Sequence, residues 1–448
     1  MGGRGTLKGN FSWIARIATC LVAPVWAVGS ASAQVGEPLL LPPVVPPGFN
    51  RGQNQSVTEL PRVGFDPVGI RLGSFSLLPS LRSGGGVTSN TYFSANPVAS
   101  AFLTNTPSAQ LISKWSRHEL MISGTGTFRE YAGESRRNES TWQADARGRL
   151  DVGRFTTITV EEISSQFTEN QFSGETTPTL AALSRYRRDF ISARAVNQVG
   201  RTRLTLASDY ALFRFQPLPL LTGETRSQEN RDRNIARFTG QFEYARSPDL
   251  AFFVQASYAD RAFERNLSVG VPNFDSQSYR LLSGLNFDDP GFARGTIGIG
   301  YTQENFRSNN YRPVGGVSIQ GRVDLFPSRL TTVRVEASRS IEVTSLSTVG
   351  AAYWSNRIYG RVDREIWRRI ILDVTASYNT ANYIASTSSL AHNSSSKAYQ
   401  VGLGAQYVST RRVVVDASLD YGNRSSSTSA LGSAFDELRS EVGVTFRI

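Results

Sequence analysis

Apolar and polar residues alternate along most of this chain with a period of two. Leu204, Leu206, Tyr210 and Leu212 share one face of a stretch whose other face carries Arg203, Thr205, Ala207 and Asp209. Val333, Val335 and Ala337 oppose Arg334, Glu336 and Ser338 in the same way. Ile370, Leu372, Val374, Ala376 and Tyr378 oppose Asp373, Thr375 and Ser377, and Val413, Val415, Ala417, Leu419 and Tyr421 oppose Asp416, Ser418 and Asp420. Successive side chains of a strand point to opposite faces, so each stretch predicts a strand with one apolar and one polar side. The runs are about 10–14 residues long, which suits a strand that crosses a bilayer at a tilt.

The connections between runs sort into two sets. Short ones fall near Ser116–Arg117, Gly153–Arg154, Gly200–Arg201, Ser247–Asp249, Asp289–Gly291, Pro327–Ser328, Trp367–Arg369 and Ser409–Arg412. Long ones alternate with them, near 90–107, 131–140, 167–184, 215–231, 264–277, 305–314, 341–350, 380–396 and 423–436. This spacing predicts an all-β, antiparallel, up-and-down transmembrane barrel of about 18 strands, with 16 as the alternative count. Both termini then lie on the short-turn side, which is periplasmic in such barrels. A soluble sandwich or β-helix instead predicts strands of about 5–6 residues and no such alternation of connections. The last run, "LRSEVGVTFRI", ends on Ile448, with Phe446 two residues earlier, where outer-membrane barrels usually end on an aromatic residue.

Ahead of the barrel, three basic residues (Arg4, Lys8, Arg16) precede the apolar run "IATCLVAPVWAVG", and "ASAQ" offers a small-x-small cleavage site before Gln34. Residues 1–33 thus read as a signal peptide. Removing them lowers the formal net charge from +11 to +8 and removes Cys20, the one cysteine, so no disulfide or thiolate metal site is available afterwards. Residues 34–69 hold seven prolines and no periodicity, and read as a flexible periplasmic segment, with a plug for the pore as the alternative; 70–448 form the barrel.

Catalytic chemistry has little to stand on. His118 lies in the first short turn, and His392, near Ser394–Ser396, in an outer loop. Glu161 and Glu162 are adjacent in a strand and point to opposite faces; Asp288 and Asp289 belong to the turn sequence "DDPG". The expectation is a non-enzyme with no metal and no cofactor. Behind a secretion signal, the high isoelectric point does not imply nucleic acid.

The polar faces carry the informative charges. Arg147, Arg149, Arg203, Arg237, Arg280, Arg322, Arg334, Glu336, Arg361, Asp373, Asp416 and Glu441 are candidates for the lumen wall. Bases and acids are close to balanced there, which permits cross-strand ion pairs and a wet channel. The surplus positive charge falls on the short turns: Arg117, Arg154, Arg201, Arg246, Arg329, Arg368, Arg369, Arg411 and Arg412 form a basic rim. Anionic lipid headgroups, or an acidic polysaccharide on the periplasmic side, are its expected partners.

Two stretches carry a family resemblance. "DPVGIRLGSFSLLPSLRSGGGVTSNTY" (66–92) has a Gly-x-x-x-Gly-x-Phe-x-x-x-Pro pattern, and "KWSRHELMISG" (114–124) a Trp-Ser-Arg-His turn. Both resemble the start of the putative β-barrel porin 2 family. The resemblance implies an outer-membrane barrel inserted by the barrel assembly machinery, and a role beside periplasmic components that export capsular or extracellular polysaccharide. It brings no catalytic residues. General diffusion of small hydrophilic solutes, or a non-transporting surface barrel, are the alternatives.

Overall fold

In the computed structural model, residues 52–172, 182–220, 223–344, 350–367, 369–384, 394–428 and 431–448 are described. The expected signal peptide and its cleavage site lie outside them, as do His392 and Arg368.

Eighteen long strands form the wall: β1 Phe75–Thr88, β2 Ser100–Ser113, β3 Glu119–Tyr131, β4 Glu139–Val152, β5 Thr156–Thr168, β6 Arg185–Val199, β7 Thr202–Phe215, β8 Arg233–Ser247, β9 Leu250–Phe263, β10 Ser276–Asp289, β11 Ala293–Phe306, β12 Val314–Ser328, β13 Thr331–Val343, β14 Ala352–Ile366, β15 Ile370–Ile384, β16 Ser395–Val408, β17 Val413–Ser426 and β18 Phe435–Arg447. Each pairs antiparallel with its sequence neighbours, and β18 pairs back onto β1 from Ser80↔Arg447 to Thr88↔Arg439. The sheet is closed, and 18, not 16, is the count. Short and long connections alternate around it as expected, with boundaries shifted by a few residues; β2, for example, begins at Ser100 rather than after 107.

Closure removes the edge that would leave backbone N–H and C=O groups unpaired in hydrocarbon. The alternation fixes which side faces lipid. Large apolar residues such as Leu103, Leu206, Phe238, Ile299 and Val442 are exposed on the outer parity of their strands. Buried polar residues such as Asp209, Glu304, Asp324 and Glu441 occupy the inner parity. At about 3.3 Å per residue the strands run roughly 45 Å, more than a tilted crossing requires. On the outer face they become polar near the long loops, where Arg307 pairs with Asp260 at 2.7 Å and Arg187 with Asp189 at 3.0 Å.

The seam between β1 and β18 depends on glycines. A Cβ at Gly86 would lie 2.2 Å from the Ser440 carbonyl oxygen and 2.5 Å from the Phe102 ring. A Cβ at Gly84 would lie 2.9 Å from the Val442 carbonyl oxygen. Arg82 of β1 then reaches across Gly443 of β18 to Asp416 of β17, with Nη2 to Oδ2 at 2.5 Å, and also binds Glu441. Below the seam the short strand Ile70–Leu72 folds back on Phe75–Leu77, and the Gly69 N–H donates to the Ile448 carbonyl at 3.1 Å. The first turn, 114–118, is anchored by Trp115, whose ring packs edge-on to Phe75 at 5.6 Å; His118 Nδ1 accepts the Asp151 N–H at 3.3 Å.

Gly86→Val is expected to prevent closure. The variant should lose the heat-modifiable, fast-migrating species of a folded barrel on a denaturing gel, whereas Gly124→Val, with open space around its Cβ, should keep it.

Candidate functional site: the charged lumen and its two mouths

Hairpin register places Arg147, Arg149, Arg203, Arg237, Arg280, Arg322, Arg334, Glu336, Arg361, Asp373, Asp416 and Glu441 on the inner parity of their strands. Most are joined into ion pairs. Asp324 is the centre of one cluster, with Arg334 Nε at 2.7 Å, Arg294 Nη2 at 3.1 Å and Arg322 Nη2 at 3.5 Å. Arg322 also approaches Glu336 at 3.7 Å. Arg361 bridges Asp363 at 2.8 Å and Asp373 at 3.7 Å. Arg237 binds Asp209 at 2.9 Å, Arg203 lies 3.9 Å from Glu243, and Arg149 sits between Glu119 (3.5 Å) and Asp151 (3.7 Å). Arg280 instead donates to Ser318 Oγ at 3.1 Å and Gln320 Oε1 at 3.0 Å. Arg147 makes no hydrogen bond or ion pair among the described residues.

Several inward charges went unread in the sequence. Arg82 follows a proline and precedes three glycines, so its strand shows little alternation. Arg294 sits just after the "DDPGF" turn and is hidden by it. Arg194 alternates with Ala193 and Ala195, which puts it on the face opposite them, and that alternation was a usable signal.

Of the rim arginines, Arg117, Arg154, Arg201, Arg329, Arg369, Arg411 and Arg412 are in the short turns, and Arg246 is at the end of β8. They are not all free to meet a partner. Arg411 Nε donates to the Gly64 carbonyl at 2.9 Å, and the Arg369 guanidinium stacks 4.8 Å over the Phe65 ring.

Those contacts belong to a strap. Residues 52–66, expected to be loose, run along the short-turn mouth and bind the inner wall and turns. Gln53 Nε2 donates to Asp249 Oδ1 at 2.6 Å, and Asn54 Nδ2 donates to Asp288 Oδ1 and to the Asp289 carbonyl, both at 2.7 Å. The Gly291 N–H returns a bond to Asn54 Oδ1 at 2.7 Å. Ser56 starts a single 3-10 turn, Val57–Glu59, closed by a capping box in which the Ser56 N–H donates to Glu59 Oε2 at 2.9 Å. Val57 is fully buried, and its N–H donates to Thr332 Oγ1 at 2.9 Å. Glu59 Oε1 pairs with Arg294 Nη2 at 2.9 Å; Arg62 Nη2 pairs with Glu365 Oε2 at 3.1 Å; Arg447 Nη2 donates to the Phe65 carbonyl at 3.0 Å. Burial alone raises the Glu59 pKa, but the Arg294 hydrogen bond and charge and the Ser56 N–H outweigh it, so its carboxyl lies below the usual Glu range.

The long-loop mouth is narrowed from the other end. Phe172, in the loop after β5, packs on Phe435 of β18 with centroids 5.2 Å apart and lies where a Cβ on Gly422 of β17 would fall. Phe93, from the loop after β1, completes the cluster at 5.5 Å from Phe435 and 6.1 Å from Phe172. Phe93 holds a φ of 51°, in the left-handed region that few non-glycine residues adopt. The loop after β5 therefore reaches β17 and β18, beyond the β1–β18 seam.

A closed barrel with apolar exterior, ion-paired interior and constricted mouths is the architecture of a porin-like protein. The model of the putative β-barrel porin 2 family matches residues 62–448, and the chain belongs to that family. No curated protein matches it by sequence. Among solved structures it is similar to OpdL of Pseudomonas aeruginosa, with 12% identity, a TM-score of 0.42 and coverage of 84% of this chain and 100% of that one. It is also similar to Pseudomonas aeruginosa OpdK, solved with vanillate, with 11% identity, a TM-score of 0.41 and coverage of 83% and 99%. The FrpB iron transporter of Neisseria meningitidis shows 10% identity, a TM-score of 0.44 and coverage of 77% and 62%.

Because the folded pKa of Glu59 is depressed, its clamp on Arg294 is complete above the ordinary carboxylate range and is lost as pH falls through the lowered value. Limited proteolysis within 52–69 should accelerate on acidification. Glu59→Gln, which replaces a charge-assisted bond by a neutral one, should weaken the strap by about 1 kcal/mol and accelerate cleavage at neutral pH about fivefold. Unchanged cleavage in both cases would show that Glu59 does not hold the strap.

Proposed function

We propose that the protein is an outer-membrane diffusion channel for hydrophilic solutes, with the short turns and strap on the periplasmic side. One observation carries this reading: a wall of 18 strands whose lumen is lined by paired charges rather than filled by an apolar core. A small barrel is packed solid by its side chains, whereas one of 16–18 strands leaves an aqueous passage. The ion pairs make that passage polar while compensating most of its charges. The apolar outer face and the interfacial Trp115 fit a bilayer, and the polar outer rows near the long loops fit headgroups beyond it.

Export of an acidic capsular or extracellular polysaccharide is the narrower reading. What favours it is the basic short-turn rim, which would collect a polyanion at the periplasmic mouth. The engagement of Arg369 and Arg411 by residues 64–65 means that the strap must shift before those two groups are offered.

A deletion strain and its complemented partner separate the two. Slower uptake of small hydrophilic solutes with unchanged surface polymer is the expected outcome for a diffusion channel. Loss of surface polymer, restored on complementation, with unchanged solute uptake would replace it by the export reading.

A further inference from the structure

One level of the inner wall is built unlike the rest. Following hydrogen-bonded partners from β6 to β10, the inward residues are Arg194, Ala207, Thr239, Ser257 and Arg280. Two guanidinium-bearing positions are thus separated by three small side chains across four strand spacings, roughly 19 Å. Arg147, on β4, lies two strands beyond Arg194, at the register position facing Glu161.

Among the described residues no acid lies within ion-pair distance of these three arginines; Asp145, Glu161 and Glu342 act on Arg147, Arg194 and Arg280 only from further off. Arg147 and Arg194 make no hydrogen bond and no ion pair among the described residues. Arg280 is held by the neutral Ser318 and Gln320 alone. Several other lumen arginines are matched by acids, as at Asp324, Asp363 and Asp416. All three are half-buried, so part of each side chain is exposed to the lumen.

We infer that Arg147, Arg194 and Arg280 form a track that binds an acidic oligosaccharide through repeated uronate-type carboxylates. The inference rests on the conduit reading for access to the lumen, and it deepens that reading by naming the class of ligand. A guanidinium takes a carboxylate by two parallel, charge-assisted hydrogen bonds. The side chains between the arginines are small, and Ser257, which is only partly buried, supplies a hydroxyl there. Because the positions are spread over several strands, one flexible polyanion can engage more than one at once, and each further contact is intramolecular. A single uronate has no such advantage.

The test is equilibrium binding to the purified full-length protein in detergent micelles, by titration calorimetry at low ionic strength. The probes are an oligogalacturonate of about six units, galacturonate itself and a neutral malto-oligosaccharide of equal length. The oligogalacturonate should bind at least about tenfold more tightly than galacturonate, and the neutral oligomer should not bind. The triple variant Arg147→Gln, Arg194→Gln, Arg280→Gln should lose at least about tenfold in affinity for the oligogalacturonate. None of these changes deprives a carboxylate of an ion-pair partner, so the barrel should keep its heat-modifiable migration. The single variant Arg194→Gln, expected to lose about threefold, gives an independent reading if the triple variant does not assemble. Equal binding of acidic and neutral oligomers, or wild-type affinity in Arg194→Gln and the triple variant, would overturn the assignment. Tight, arginine-dependent binding by a protein that passes no ions would overturn the conduit reading and leave this one standing.

Discussion

Closure of the sheet at β1 and β18 is the constraint on which the rest of this molecule depends. Hydrocarbon offers no partner to a backbone N–H or C=O, so an open edge inside a membrane is costly at every residue along it. The seam is made by nine residue pairs, from Ser80↔Arg447 to Thr88↔Arg439. Glycines at 84 and 86 allow the strands to approach, because any Cβ there would strike the opposing backbone. Arg82 then ties three strands together through Asp416 and Glu441. The strand at 70–72 and the Gly69 N–H cover what β18 leaves unpaired at its end.

Closure also creates the problem that the lumen solves. Charged side chains of both signs cannot all crowd one enclosed space singly, since an unpaired charge away from water costs several kcal/mol. The wall answers with shared partners, three arginines on Asp324 and two aspartates on Arg361. Where that compensation stops, at Arg147, Arg194 and Arg280, the wall has charge to offer a ligand. The two mouths follow the same economy with different materials. The short-turn end uses hydrogen bonds and ion pairs from a segment of chain, and the long-loop end uses three phenylalanine rings.

The wall was legible in the sequence because a period of two survives wherever one side meets lipid and the other meets charge. Leu204, Leu206 and Tyr210 declare one face, and Arg203 and Asp209 the other, without knowledge of their neighbours. Strand number followed from the regular exchange of short and long connections. The mouths were not legible. Phe93 and Phe172 are aromatic residues in loops, and a loop carries no period from which its direction can be read. The strap was hidden by the prolines around it, although Ser56-x-x-Glu59 is a capping-box spacing and Val57 stands alone as an apolar residue among polar ones. Partner identity was only half legible: the hairpins fix which strands adjoin, but whether Arg147 closes on Glu161 depends on side-chain geometry that alternation does not encode.

Single-channel recording from the purified full-length protein in planar lipid bilayers tests the central claim most directly. The account predicts discrete current steps at neutral pH in the wild type or, if the strap holds the mouth shut, in Glu59→Gln. Folded, inserted protein that passes no current in either form would contradict a polar conduit through this barrel.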